Sequence, residues 1–205
     1  MGVGVTTKPD IKNYVGWFLF LFLFSAAGII LHELGHHLFG IPSEVSLARN
    51  WPLVPVTGEN QHRAIIGSLA GPTVNLLLIY FGMLVFIFLK GLRTGILSYL
   101  AGLFALANIF LVVVPAVVNL LLDLTSGNWI NDLQVVSRLT GINVFVLPVV
   151  FVALSIPAIM FFWCNMKILR ENTAFFIITS VVAGFGAGAF LSLLDTIFHI
   201  RYTFV

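Results

Sequence analysis

Charged residues are scarce in this chain. Only 9% of its 205 residues are Asp, Glu, Lys or Arg, whereas 60% are hydrophobic, and the mean hydropathy is +1.07. A soluble domain of this size needs more polar surface than that, so the composition argues against a soluble globular protein and predicts an integral membrane protein. The net charge of +2 is too small to indicate a nucleic-acid partner.

Cysteine is almost absent as well. The single cysteine, Cys164, cannot form an intramolecular disulfide bond, and its apolar neighbours predict that it fills space in a helix. The chain also lacks a short hydrophobic region typical of a removable signal peptide. The apolar run that begins at about Tyr14 is far longer than such a region, so we expect it to be retained as a transmembrane helix.

Long apolar stretches alternate with short polar connections along the rest of the chain. This pattern predicts an all-α, multi-pass membrane protein with about five transmembrane helices. Residues 1–13 are interpreted as an N-terminal tail and residues 14–205 as a single polytopic membrane domain. The predicted spans are residues 14–39, 63–89, 94–122, 142–168 and 173–200. Between the first two spans, prolines and a glycine-centred turn favour short extended segments over a helix.

Small residues and proline interrupt the apolar pattern of three spans. Residues 25–28, with the sequence SAAG, would let a neighbouring helix approach the first span closely. In the last span Gly184, Gly186 and Gly188 are predicted to form a helix-packing face. Pro115 is expected to kink the third span or to end its regular part.

The motif with the strongest chemical meaning, H-E-x-x-H, lies near the far end of the first span, at residues 32–36. In a helix, the spacing of four residues projects His32 and His36 from one face, where they can share a metal ion. Glu33 can reach a water molecule bound to that ion. Because such residues are costly inside hydrocarbon, we interpret them as a zinc site with a catalytic carboxylate. The alternatives are a chance arrangement or a structural pair of buried histidines.

A catalytic zinc ion takes three protein ligands and leaves one position for water, so another segment must supply a third ligand. With five spans, the polar segment 123–141 lies on the same membrane side as the motif. Asp132 is favoured because it follows a turn and begins a predicted helix that could pack against the first span. A simple N-cap is the alternative role for Asp132. The other candidates on this side are Asp123, His62, Glu44 and Glu59.

Three further polar residues are interpreted without a catalytic role. His37 is one residue away from the ligand face of the first span and is expected to cap the helix or to reach the interface. Asp195 and His199, spaced four residues apart near the end of the last span, are interpreted as an interfacial pair.

The motif, taken together with the sequence AGPTVN at residues 70–75 of the second span, resembles the site-2 protease family of intramembrane zinc metalloproteases. That family carries H-E-x-x-H in one core helix and G-P-x-x-N in the next, and both elements match position for position. The resemblance implies that His32 and His36 bind zinc and that Glu33 is the general base. Asn75 is similar to a family asparagine thought to lie near the bound substrate. The resemblance also implies a three-helix core over about residues 14–165, with the last span as an addition.

The third element of the family departs from its pattern in this chain. The family supplies an aspartate from its third core helix, usually in an N-L-L-P…D-G context. Here residues 119–122 read NLLL, and Asp132 is followed by Leu133 rather than glycine. The residues after Asp132 are similar to the family's next helix, which favours Asp132 as the third zinc ligand. Asp123, four residues after Asn119, remains its rival.

The sequence therefore predicts an intramembrane zinc metalloprotease that hydrolyses a peptide bond in or near a transmembrane segment of a membrane protein substrate. Its expected partners are this substrate and the lipid bilayer. The irregular third element leaves a second hypothesis, a catalytically inactive family member that binds metal or a partner helix. A transporter is a weaker interpretation, because the polar residues collect towards one membrane side. In the protease hypothesis, the extended segments after the first span could pair with an unwound substrate by strand addition.

Overall fold

A computed structural model describes residues 11–40, 43–45, 50–52, 57–92, 95–125, 132–198 and 202–203. Side chains are described for these residues except 11–13, the strands, and residues 119, 122–125 and 168. Within the described ranges the helices are α1 (Ile11–Phe39), α2 (Gln61–Gly91), α3 (Gly95–Thr125), α4 (Asp132–Thr140), α5 (Val146–Asn165), α6 (Lys167–Glu171) and α7 (Thr173–Phe198). The strands are β1 (Ser43–Val45), β2 (Asn50–Pro52) and β3 (Tyr202–Thr203).

Five of these helices are long and apolar enough to cross a membrane, which confirms the predicted fold class of an all-α, multi-pass membrane protein. The spans are Tyr14–Phe39, Gln61–Gly91, Gly95–Val118, Val146–Asn165 and Thr173–Phe198. Large apolar side chains such as Leu77, Phe88 and Phe185 are exposed on the outside of the bundle. A lipid environment suits such a surface, whereas water does not. The first span has the predicted bounds of 14–39, and its helix α1 begins three residues earlier, at Ile11; residues 1–10 lie outside the described part.

The helix α3 lies at the centre of the bundle. Half of its apolar stretch is buried (50%), against 22% to 33% in the other four spans. It packs against α1, α2, α5 and α7. Pro115 lies within it, and the helix continues through this proline to Thr125. The alternative that Pro115 ends the regular part of the span was therefore wrong, because packing on several sides stabilises the helix beyond the proline.

The fourth span is shorter than the predicted range 142–168. Its helix α5 ends at Asn165, where Met166 takes an extended conformation and the short helix α6 follows. On the other side, Gly141 has a φ of +74°, a left-handed conformation that suits glycine and ends α4. The ends of α4 and α5 thus coincide with changes in backbone conformation, which a hydropathy profile does not show.

The small residues of the first span allow the close approach that the sequence predicted. A Cβ atom on Gly28 would lie 2.6 Å from Leu111 Cδ1 and 2.7 Å from Asn108 Oδ1. The helices α1 and α3 can therefore approach this closely because residue 28 has no side chain. The glycines of the last span also face neighbouring helices, as predicted. Their contacts have ordinary length, however: a Cβ atom on Gly186 would lie 3.6 Å from the Phe22 ring.

The connection between the first two spans contains the extended segments that the sequence predicted. The strands β1 and β2 pair antiparallel, with Glu44 opposite Trp51. The strand β3 pairs with the other edge of β1, so the order of the sheet is β2-β1-β3. Because β1 contacts α1, this sheet lies near the end of the first span that carries the motif.

Candidate metal centre

Three helices bring the polar residues of the candidate site together. The last turns of α1 carry His32 and His36, and α2 packs along α1 with Asn75 facing the same region. The helix α4 begins at Asp132 and packs against α2 and α5. The expectation that this helix packs against the first span was wrong among the described residues. The first residue of α4, Asp132, nevertheless reaches His32 and His36 of α1 with its side chain.

The ligand atoms of three residues form a compact triangle. His32 Nε2 lies 3.0 Å from His36 Nε2 and 3.1 Å from Asp132 Oδ2, and His36 Nε2 lies 3.2 Å from Asp132 Oδ2. The structure therefore brings together the two motif histidines and the aspartate that the sequence favoured. Within the described residues, this is the one group of three His, Cys, Asp or Glu side chains whose ligand atoms lie within 4.8 Å of one another.

The hydrogen bond at His36 Nδ1 determines which nitrogen of this ring can bind a metal ion. His36 Nδ1 lies 2.6 Å from the carbonyl oxygen of Gly67, and a carbonyl oxygen only accepts hydrogen bonds, so Nδ1 must carry the proton. In the neutral imidazole, Nε2 then presents a lone pair to the triangle. A metal-binding histidine typically donates its other ring N–H to such a partner.

His32 has a similar partner in Asn75, which is 2% exposed. Asn75 Nδ2 donates to His32 Nδ1 at 3.1 Å, so in this arrangement the proton of neutral His32 lies on Nε2, inside the triangle. His32 Nε2–H then faces two acceptor atoms, His36 Nε2 and Asp132 Oδ2, with a single proton between them, which favours a cation at this position. A half-turn of the amide places its oxygen against Nδ1–H and frees His32 Nε2 for a metal ion. This contact was not predicted from the sequence; a role for Asn75 near the substrate stays a prediction.

The carboxylate of Asp132 suits a ligand role. Burial alone raises the pKa of this carboxyl group, but hydrogen bonds and charge from His32 and His36 outweigh it and hold the pKa below its usual range. The group is therefore ionised, as a metal ligand must be. About 40% of the Asp132 side chain is exposed, against 7% for His36, so water reaches the site from the Asp132 side.

The space for both imidazoles depends on a glycine in α2. A Cβ atom on Gly71 would lie 2.7 Å from His32 Nε2 and even closer to His36 Nε2. Any larger residue would push the rings out of the triangle. The sequence contained a signal for this requirement, the glycine of G-P-x-x-N, but its physical role becomes visible only in the folded chain.

Glu33 lies beside the triangle, as its position in the motif predicted. It is partly buried and interacts electrostatically with His32, His36 and Asp132. It also interacts with Asp195 from α7. Asp195 was interpreted as an interfacial partner of His199, which lies outside the described residues. The helix α7, predicted as an addition to the core, thus contributes a third carboxylate near the site, besides those of Glu33 and Asp132.

The other candidates for the third ligand do not join the triangle where they can be followed. Glu59 and His62 are exposed on the surface, and neither belongs to the group of ligand atoms. The side chains of Glu44 and Asp123 lie outside the described residues. Asp123 therefore remains the rival of Asp132 on sequence grounds alone.

The donor set fits zinc. Two imidazole nitrogens and one carboxylate oxygen are ligands that zinc accepts, at about 2.0–2.2 Å. Three atoms at these distances from one tetrahedral ion lie about 3.3–3.6 Å apart, so the observed triangle needs to open by only a few tenths of an ångström. No family model matches the chain, and no curated protein or solved structure is found to be similar to it.

Proposed function

We propose that this protein is an intramembrane zinc metalloprotease, similar to the site-2 protease family, which hydrolyses a peptide bond in or near a transmembrane segment of a membrane protein. One observation carries the proposal: His32 Nε2, His36 Nε2 and Asp132 Oδ2 lie within 3.2 Å of one another. Glu33 adjoins them. Three protein ligands with a neighbouring carboxylate are the arrangement of a catalytic rather than a structural zinc site.

In this proposal each residue has a distinct role. His32, His36 and Asp132 would hold the zinc ion, and a bound zinc ion would polarise the substrate carbonyl group and lower the pKa of water to about 7. A carboxylate oxygen of Glu33 takes the proton of the attacking water and later delivers it to the leaving amine. The Gly67 carbonyl oxygen accepts a hydrogen bond from His36 Nδ1–H and so orients that ring. Asn75, which contacts His32 Nδ1, orients the other ring by accepting from Nδ1–H through its amide oxygen.

The position of the site also supports hydrolysis at the edge of the membrane. The partly exposed Asp132 side chain gives water access to the triangle, and the rest of the site is enclosed by apolar helices. A substrate helix must unwind there, because its own hydrogen bonds shield its amide groups. Since β1 is already paired on both sides, β2 and β3 are the described strands that leave an edge to which an unwound segment could add.

The first test separates metal binding from catalysis. We expect purified wild-type protein to hold one zinc ion per chain and to cleave transmembrane peptides flanked by lysines in detergent micelles, with products identified by mass spectrometry. The Glu33→Gln variant should keep the zinc, because Glu33 is not a ligand, and should lose cleavage by about 100-fold or more. Glu59→Gln, which changes an exposed glutamate in the same way, is the matched control and should cleave at the wild-type rate.

The outcomes of this test distinguish the two hypotheses that the sequence left open, the protease and the catalytically inactive family member. Cleavage retained in Glu33→Gln would refute the role of Glu33. Bound zinc without cleavage of any peptide by the wild type would instead favour an inactive family member that binds metal or a partner helix. Wild-type protein that takes up no zinc even after reconstitution would refute the metal centre itself.

A further inference from the structure

A cavity of about 180 Å³ lies directly beside the metal triangle. His32 and Asp132 form its polar end. The proposed reaction uses these two residues as ligands and gives the remainder of the cavity no role.

The rest of the cavity wall, in the part of the chain that the structure describes, is apolar. Val112 and Ala116 face it from α3, and Phe151 faces it from α5. Each of the three is at most 7% exposed, so they belong to the packed interior of the bundle. A polar or charged group placed there would lose its hydration without gaining a partner. The cavity therefore suits an apolar group.

The volume limits the size of that group. An apolar cavity of about 150 Å³ in another protein binds benzene, so the cavity described here can hold a leucine side chain or a phenyl ring. The indole of tryptophan is larger than a phenyl ring and would leave the least spare volume in a cavity of this size. A glycine or alanine would leave most of the volume unfilled and forgo the contacts that stabilise binding.

The cavity also borders a route from the lipid phase. A larger groove of about 540 Å³ runs between α3 and α7, and it shares Leu111 and Pro115 with the smaller cavity. Phe185, 65% exposed, lies on its outer side. The groove is lined mainly by apolar residues, with Ser180 and Ser192 as its polar members. It meets the smaller cavity at Leu111 and Pro115.

We infer that the smaller cavity is a specificity subsite that receives an apolar side chain of leucine to phenylalanine size from the substrate residue next to the scissile bond. The inference rests on the proposed proteolytic function and names the residues that select its substrate. Ala116 is the decisive one, because it is not itself a proposed ligand and a larger residue there would take up part of the cavity. Val112 is its counterpart, because a smaller residue there enlarges the cavity.

The test uses zinc-loaded full-length protein and one series of synthetic peptides. The peptides are transmembrane segments flanked by lysines, and mass spectrometry of the parent peptide locates the cleaved bond. The residue on each side of that bond is then varied through Gly, Ala, Leu, Phe and Trp. We expect the wild type to cleave the Leu and Phe peptides with a kcat/KM at least about tenfold above the Gly and Trp peptides, because one methylene in an apolar pocket changes kcat/KM by about 10–200-fold.

Two variants should shift this preference in opposite directions. Ala116→Leu should lower kcat/KM for the Leu and Phe peptides by about 10-fold or more and leave the Gly and Ala peptides close to their wild-type values. Val112→Ala should raise kcat/KM for the Trp peptide. Val117→Leu enlarges the next residue of α3, which is 41% exposed and does not line the cavity; it should keep the wild-type preference.

Each result has one meaning. Normal cleavage with an unchanged preference in both Ala116→Leu and Val112→Ala would overturn the subsite and leave the protease standing. Failure of zinc-loaded wild type to cleave any peptide would overturn the proposed function, and the subsite with it. Zinc content and thermal unfolding are measured for every variant; if Ala116→Leu does not fold, the Trp peptide with Val112→Ala decides the question.

Discussion

Replacing Gly71 by alanine tests the architecture of the metal centre with a single methyl group. The new Cβ atom would lie 2.7 Å from His32 Nε2, whereas ordinary contacts begin at about 3.4 Å. The difference, 3.4 − 2.7, requires a movement of about 0.7 Å, and His36 must move further because its Nε2 atom is closer still. Zinc sites tolerate deviations of about 0.2 Å in their bond lengths. We therefore expect the zinc affinity of Gly71→Ala to fall by about 10–100-fold. A loss of this size is typical when partners that orient a metal ligand are removed.

The assay for this variant is competition with a chelator of known zinc affinity, followed by the peptide cleavage assay. Gly16→Ala is the matched control, because a Cβ atom on Gly16 of α1 meets nothing within 4 Å. That control should bind zinc like the wild type and, since alanine favours helix, should be at least as stable. Wild-type zinc affinity in a folded Gly71→Ala protein would show that the imidazoles do not need the space beside α2, and the geometry proposed for the site would be refuted.

The remaining predictions concern the third ligand and the support of the imidazoles. Asp132→Ala should lose the zinc ion and Asp123→Ala should keep it, as measured by metal content per chain; the reverse result would make Asp123 the ligand. Asn75→Ala removes the group that contacts His32 Nδ1 and should weaken zinc binding by about 10–100-fold, as the loss of such a partner typically does. If Asn75→Ala instead binds zinc normally and raises KM for the peptides, Asn75 acts on the substrate, as the resemblance implied.

Local properties of the chain allowed much of the fold to be predicted. Five long apolar stretches are visible in the hydropathy, and five helices that can cross a membrane are present. The pairing of His32 with His36 also follows from local geometry, since residues four apart in a helix always share a face. The extended segments that form β1 and β2 followed from turn residues.

Span ends and helix partners were less predictable, because they depend on interactions outside the segment itself. The helix α3 continues through Pro115 because its neighbours support it, although the isolated sequence favours a break. The helix α5 ends at Asn165, three residues before the end of the predicted span at Ile168. The segment beginning with Asp132 was predicted as a helix, but its packing on α2 rather than α1 depends on tertiary contacts.

The sequence by itself determined the membrane class of the protein, its number of spans and the first two ligands of the candidate site. These features depend on composition and on a helical repeat that any helix obeys. The tertiary structure alone decided the rest of the site. It brings Asp132 to His32 across 100 residues of chain, supplies the Gly67 carbonyl to His36, and uses the missing side chain of Gly71 as space for both rings. A backbone carbonyl has no signature of its own in a sequence. The glycine at position 71 is visible there, but which side chains use its space depends on which helices pack together.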